Sequence, residues 1–152
     1  MKYSYLFISL LTVLVISCKE KPTEKTALKT SAKINGVKGS FIVDTGASNT
    51  CIDNNLIEHF NLTSEESDTK AAGAGATDMD TQVSKKNTIK IGKWKSKKNN
   101  LVIFDLSHVN EALTNHGAKP VHGIIGADIL KKGKAIIDYD KKYLYLKLKE
   151  IS

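Results

Sequence analysis

Residues 41–48 of the 152-residue chain read Phe-Ile-Val-Asp-Thr-Gly-Ala-Ser. One aromatic and two β-branched residues predict a buried strand that ends at Asp44. An acid at the end of an apolar strand is seldom there for solubility, so we expect Asp44 to lie in a protected position. A carboxyl group in such a position is a candidate for acid–base chemistry. The alternative is an ordinary β-turn, which Asp-Thr-Gly also suits.

Two longer motifs carry a resemblance to one enzyme family. Residues 44–52, Asp-Thr-Gly-Ala-Ser-Asn-Thr-Cys-Ile, resemble the active-site loop of retroviral-type (retropepsin-like) aspartic proteases. Residues 123–130, Gly-Ile-Ile-Gly-Ala-Asp-Ile-Leu, resemble the second signature of that family, in which an apolar pair and a glycine precede a short helix with an acid. The two motifs occur in the family's order and near its spacing, which makes the resemblance fairly specific.

The resemblance implies a role for each residue of the loop. Asp44 would be the catalytic carboxylate, Thr45 would hydrogen-bond across a dimer, and Gly46 would let the substrate backbone lie against the loop. Ala47 matches the retroviral pattern, whereas two-domain pepsins usually have a hydroxyl residue there. Cys51 falls where the family lines a substrate pocket, although it is most simply a small buried apolar residue.

Two positions depart from the retroviral pattern. Retroviral members tend to have an acid at the position of Ser48 and an Arg at that of Ala127, which form an ion pair near the dimer interface. Both charges are absent here, so no charge is left unpaired, but that support for dimerisation is also lost. We expect Asp128 to cap its own helix and to reach Thr50.

The chain contains a single Asp-Thr-Gly. Peptide hydrolysis without a metal or a covalent nucleophile needs one group to deprotonate a water and another to protonate the carbonyl oxygen, and two carboxylates that share a proton do both. The acids at Asp105, Asp128, Asp138 and Asp140 lack a following Thr-Gly or Ser-Gly. The sequence therefore predicts a homodimer in which each subunit contributes Asp44.

The N-terminal segment predicts export and lipid attachment. Residues 1–17 carry Lys2 and then an apolar run that is too short for a bilayer span of about 20 helical residues, which is typical of a signal peptide. The run ends in Val-Ile-Ser-Cys, which resembles the lipobox of bacterial lipoproteins, where Cys18 would become the acylated first residue. A signal peptide that happens to contain a cysteine is the alternative. We expect a protein of the bacterial cell envelope, lipid-anchored on a periplasmic or outer-membrane face.

Composition divides the remaining chain into a tether and a domain. Residues 18–31 are rich in Lys, Glu and Thr with little to bury, which predicts a flexible tether, and residues 32–152 form the domain. All 23 basic residues are lysines, and the formal net charge is +7. Because the lysines are scattered, Arg is absent and no aromatic-studded basic motif occurs, we expect no nucleic-acid partner. A solvated surface attracted to anionic envelope components is the better interpretation.

Two segments predict hairpins in the first half of the domain. Residues 33–38 contain the Asn-Gly pair of a type I′ turn. Residues 69–77 are a run of small residues centred on Gly73, Ala74 and Gly75, and their place matches the flap that closes over bound peptide in the resembling family. An ordinary loose hairpin is the alternative.

Strand patterns dominate the domain, and helical patterns are short. The predicted helices cover residues 54–60, capped by Asp53, and residues 107–116, with a further short helix that begins near Asp128. The predicted strands include residues 88–94 and 100–104, joined by a turn rich in Lys and Asn. The sequence predicts a mostly β fold, and the resemblance implies the closed acid-protease barrel with one or two short helices.

Three classes of function remain open. The favoured one is a membrane-tethered aspartic endopeptidase that cleaves a peptide or protein substrate. The second is a lipoprotein with the protease fold that binds a peptide or envelope partner without cutting it, and the third is a structural or adhesion protein with Asp44 in a plain turn. No cofactor is expected, and no metal, since the spacing of His108, His116 and His122 matches no ligand pattern.

Overall fold

The computed structural model describes residues 29–73 and 76–148. The predicted signal peptide and lipidation site at Cys18 lie outside the described residues, as do Ala74 and Gly75. The first strand begins at Lys29, so residues 29–31 lie in the sheet although the sequence placed them in the tether. No helix among the described residues is long and apolar enough to cross a membrane.

Nine strands and three short helical segments make up the described part of the chain. The strands are β1 (Lys29–Ile34), β2 (Val37–Val43), β3 (Cys51–Asp53), β4 (Glu65–Gly73), β5 (Ala76–Ile91), β6 (Trp94–Phe104), β7 (Gly123–Ile125), β8 (Ile136–Asp138) and β9 (Tyr143–Tyr145). The helical segments are a 3₁₀ turn (Asn54–Leu56), α1 (Ser107–Asn115) and α2 (Ala127–Lys132).

Six strands close into a barrel. They pair in the order β1-β2-β7-β3-β6-β5, and β5 returns to pair with β1, while β4 extends the sheet beyond β5. Alternate residues of each strand face inward, because side chains alternate across a strand. The core they form includes Ile34, Phe41, Ile52, Ile89, Leu101, Ile103 and Ile125, and Phe60 from the segment after the 3₁₀ turn packs into it. The mostly β barrel with two short helices confirms the predicted fold class.

The predicted Asn-Gly hairpin is present between β1 and β2. Asn35 has φ 49° and Gly36 has φ 93°, the positive values that a type I′ turn requires at both central residues. The Asn35 side chain also donates to the backbone carbonyl of Phe60 at 3.1 Å and accepts from the Thr88 N–H at 3.0 Å. This turn therefore fixes one end of the barrel as well as the register of its two strands.

The predicted turn between residues 94 and 100 is wrong. The chain turns at Gly92 and Lys93, and residues 94–104 form one continuous strand, β6. The polar residues that suggested a turn are accommodated inside the sheet, because Ser96 and Asn99 are buried and hydrogen-bond to each other at 2.8 Å. The helix predicted over residues 54–60 is also shorter, although Asp53 caps it by accepting from the Asn55 N–H at 2.9 Å.

Candidate active site

Asp44 lies just beyond the end of β2, where the barrel wall stops. β2 runs parallel to β7, with Val43 opposite Ile125, and the Asp44 N–H donates to the Ile125 carbonyl at 3.1 Å. Asp44, Thr45 and Gly46 are exposed in this chain, so the expectation of a protected carboxylate is wrong for the single subunit. The physical reason is that Asp44 follows the last strand residue, where neighbouring strands no longer cover it.

A tight turn orients the Asp44 carboxylate. The Gly46 N–H donates to Asp44 Oδ1 at 2.8 Å, which holds the side chain against its own backbone. A Cβ atom at position 46 would lie 3.2 Å from that same oxygen, so a larger residue would crowd the carboxylate. The predicted catalytic residue is thus held by the glycine that follows it two positions later.

The loop after Asp44 is fastened to the start of helix α2. The Ala127 N–H donates to the Ala47 carbonyl at 2.8 Å, and the Asp128 N–H donates to the Ser48 carbonyl at 3.2 Å. The first N–H groups of a helix have no partner within the helix, and these two carbonyls satisfy them. We call this contact between residues 47–50 and 126–128 the loop–helix junction.

A buried hydroxyl completes the loop–helix junction. Thr50 is fully buried, donates from Oγ1 to Asp128 Oδ1 at 2.7 Å and accepts from the Gly126 N–H at 3.1 Å. The prediction that Asp128 reaches Thr50 is confirmed. The prediction that Asp128 caps helix α2 is wrong, because Gly126 occupies the N-cap position and no side chain caps the helix. Asp128 lies in the first helical turn, where its carboxylate is directed to Thr50.

Gly126 was part of the second motif, but its packing role was not predicted. A Cβ atom at this position would lie 2.5 Å from the backbone carbonyl of Asn49 and 2.9 Å from that of Ala47. Only a glycine allows the two backbones to approach this closely. The signal for this role was the glycine itself, at the boundary between a strand and a helix.

Cys51 is an unreactive thiol beneath the loop. Burial raises its pKa to about 12, and the negative charges of Asp128 and Asp44 add to the effect. Its Sγ donates to the Asn49 carbonyl at 3.1 Å, and it packs in a small apolar cluster with Leu106 and Ile124. The thiol therefore stays protonated at neutral pH and packs as an apolar side chain.

The predicted flap coincides with the β4–β5 hairpin. Gly73 ends β4 and pairs with Ala76 of β5. Ala74 and Gly75 lie outside the described residues, so the flap role stays a prediction.

Two of the histidines, His122 and His59, have structural partners. His122 Nδ1 accepts from the Ser40 N–H at 3.1 Å, and its ring stacks on that of His59 with centroids 5.9 Å apart. Across residues 29–73 and 76–148, no group of three His, Cys, Asp or Glu side chains is placed to hold a metal ion.

Comparison with known proteins places the chain in a family. The sequence model of the aspartyl protease family matches residues 30–129. This stretch includes Asp44 and the whole loop–helix junction, and it covers more than half of the chain. The chain therefore belongs to the aspartyl protease family. No curated protein matches the chain.

Two solved structures share the fold. One is the EIAV protease complexed with the inhibitor HBY-793, at 20% identity and a TM-score of 0.54, over 74% of this chain and 92% of that one. The other is the retroviral protease-like domain of Ddi1 from Leishmania major, at 17% identity and a TM-score of 0.55, over 80% of this chain and 88% of that one. The fold is thus that of retroviral-type proteases.

Proposed function

We propose that this protein is an aspartic endopeptidase that hydrolyses peptide bonds as a homodimer, with Asp44 of each subunit at the twofold axis. The observation that carries the proposal is the exposed Asp44 carboxylate at the end of β2, held by the Gly46 N–H on a loop fastened to α2. Family membership supports the same chemistry.

The proposed mechanism requires two carboxyl groups in different protonation states. An ionised Asp44 accepts a proton from the attacking water, while the protonated Asp44 of the second subunit donates one to the substrate carbonyl oxygen. A single subunit supplies one Asp-Thr-Gly loop and therefore half of this pair. Exposure of Asp44 in one subunit fits a site that a second copy completes and shields from water.

The C-terminal hairpin offers a surface for dimerisation. β8 and β9 form a separate two-stranded sheet that exposes large apolar side chains, including Ile136 at 66% and Tyr139 at 79% exposure, together with Tyr143 and Tyr145. Such a concentration of exposed apolar groups is uncommon on a monomer and typical of interaction sites. The hairpin is joined to α2 through the Lys147 N–H, which donates to the Gly133 carbonyl at 2.8 Å. We include this hairpin in the proposed interface.

The proposed location is the bacterial cell envelope. The lipobox-like sequence before Cys18 supports attachment through an N-terminal lipid, and residues 19–28 would connect that lipid to β1. A peptide or protein in the same compartment would be the substrate.

A peptide-library cleavage assay from acidic to neutral pH tests the proposed activity. Wild type is compared with Asp44→Asn and with Glu111→Gln, an exposed acid on α1 outside both the loop and the C-terminal hairpin, and a statine-type inhibitor forms a further arm. We expect cleavage by wild type and Glu111→Gln, its loss in Asp44→Asn, and inhibition by the statine compound. Activity should fall as the pH rises, because one carboxyl group of the pair must stay protonated.

The outcomes separate the proposal from its alternative. Cleavage that survives Asp44→Asn would end the protease proposal. Library peptides that bind wild type without being cut at any pH would support the non-catalytic, peptide-binding function instead.

A further inference from the structure

The charges of the domain are strongly segregated. Residues 29–43 and 81–104, which include β1, β2, β6 and most of β5, contain ten lysines and no acid. Residues 44–80 and 105–148, which carry Asp44, contain thirteen acids and eight lysines. The net positive charge of the domain therefore resides on one part of the barrel wall.

The strand register aligns four of these lysines. Lys38 on β2 lies opposite Lys33 on β1, Lys33 lies opposite Lys90 on β5, and Lys90 lies opposite Lys95 on β6. Directly opposed residues point to the same face of a sheet, and all four are exposed. With strands about 4.8 Å apart, the four side chains extend across roughly 14 Å. We call these four residues the lysine row.

Folding alone does not account for the lysine row. Like charges directly opposite each other destabilise a sheet, and between described residues none of the four lysines pairs with an acid. Lysines often protect exposed strand edges from aggregation, which accounts for Lys38 and Lys95, because at those positions β2 pairs only with β1 and β6 only with β5. Lys33 and Lys90 lie where β1 and β5 pair on both sides, so edge protection does not explain them. The inward neighbours, such as Ile34 and Ile89, already bury the opposite face of the same strands.

We propose that the lysine row docks the domain onto the anionic phospholipid headgroups of the membrane to which the chain is tethered. Lysines near an anionic bilayer are attracted to it within a Debye length. Residues 19–28 span at most about 35 Å when fully extended, so a chain anchored at Cys18 keeps the barrel within reach of the surface. Phe41 and Trp94, the aromatic residues of segments 29–43 and 90–95, are buried and cannot stack on bases, which favours headgroups over nucleic acid.

Docking through the lysine row leaves the candidate active site open. Asp44 follows Lys38 by six residues along the extended chain of β2, which separates the two residues by about 20 Å. The row also lies next to the hairpin turns at residues 35–36 and 92–93, whereas Asp44 lies beyond the other end of β2. The proposal rests on the envelope location proposed above and not on the protease activity.

Amine footprinting of the full, membrane-anchored protein tests the docking. The protein is reconstituted in vesicles of phosphatidylcholine alone or with phosphatidylglycerol, and each lysine's acetylation rate is followed by mass spectrometry. We expect the row to be labelled several-fold more slowly on phosphatidylglycerol than on phosphatidylcholine, with the protection lost at high salt. Lys131 and Lys142, which lie outside the four strands, should be labelled equally on both.

A double variant provides the matched test. Lys33→Gln with Lys90→Gln should return the labelling of Lys38 and Lys95 to the phosphatidylcholine rate, whereas Lys131→Gln with Lys142→Gln should leave their protection intact. Equal labelling of the row on both vesicles would overturn the proposal. Equal protection by an oligonucleotide at physiological salt would overturn it in favour of general polyanion binding.

The controls distinguish a failure of membrane docking from a failure of the proposed lipid anchor or of the proposed protease activity. A chain that fails to associate with phosphatidylcholine vesicles lacks the proposed lipid anchor, yet protection of the row on phosphatidylglycerol would still support docking. Asp44→Asn, which removes the proposed activity, should leave the protection pattern unchanged.

Discussion

Replacing Thr50 with Val removes the central hydrogen bonds of the loop–helix junction while nearly conserving volume. The buried Gly126 N–H would lose its acceptor, which costs about 1–3 kcal/mol. Asp128 would lose a hydroxyl donor, which we discount to about 1 kcal/mol because Asp128 is half-exposed. The added methyl group offsets about 0.8 kcal/mol. We therefore expect Thr50→Val to lower the free energy of unfolding by about 1–3 kcal/mol.

Urea unfolding followed by the fluorescence of Trp94 measures this loss, since Trp94 is buried and is the only tryptophan in the chain. Thr88→Val is the matched control, because Thr88 lies on the outward face of β5 and should change stability by less than about 0.5 kcal/mol. Peptide cleavage by Thr50→Val should also fall, since the loop that carries Asp44 loses the side-chain part of its attachment to the start of α2. A stability loss no larger than that of Thr88→Val would refute the reasoning.

Two further predictions concern the thiol and the hairpin. Because the pKa of Cys51 is raised from 9.0 to about 12, its contribution to stability is present below about pH 9 and is lost as the pH rises toward 12. In urea unfolding, wild type should therefore lose stability relative to Cys51→Val between these pH values. If the free energies of unfolding of the two proteins changed in parallel with pH, the raised pKa of Cys51 would be contradicted. Tyr143→Lys with Tyr145→Lys places charge in the proposed interface and should shift sedimentation toward monomer at a given concentration, whereas Lys97→Gln with Lys98→Gln, at exposed positions of β6 outside the hairpin, should not. An unchanged dimer in the tyrosine variant would exclude the hairpin from the interface.

Local signals in the sequence were sufficient for much of the fold. The Asn35-Gly36 turn requires positive φ at both residues, and this requirement is visible in the residue pair itself. The apolar run into Asp44 likewise specified a strand and its end. The turn at Gly92 was missed because the polar residues 95–99 resemble a loop in composition, whereas the buried bonds of Ser96 and Asn99 keep them in the sheet.

Long-range properties could not be predicted in the same way. The lysines are scattered along the sequence, and only the register between strands as distant as β1 and β5 aligns Lys33 with Lys90. The exposure of Asp44 similarly depends on where the neighbouring strands end and on whether a second subunit is present. Such features follow from pairings between distant segments, which periodicity does not encode.

The most direct test of paired Asp44 carboxylates is a subunit-mixing experiment. Wild type and Asp44→Asn are mixed in equal amounts at fixed total concentration, allowed to exchange subunits, and assayed for peptide cleavage. If each active site needs Asp44 from both subunits, random pairing leaves about one quarter of the activity of wild type at the same total concentration. Retention of about one half would mean that each subunit acts alone, which contradicts the account.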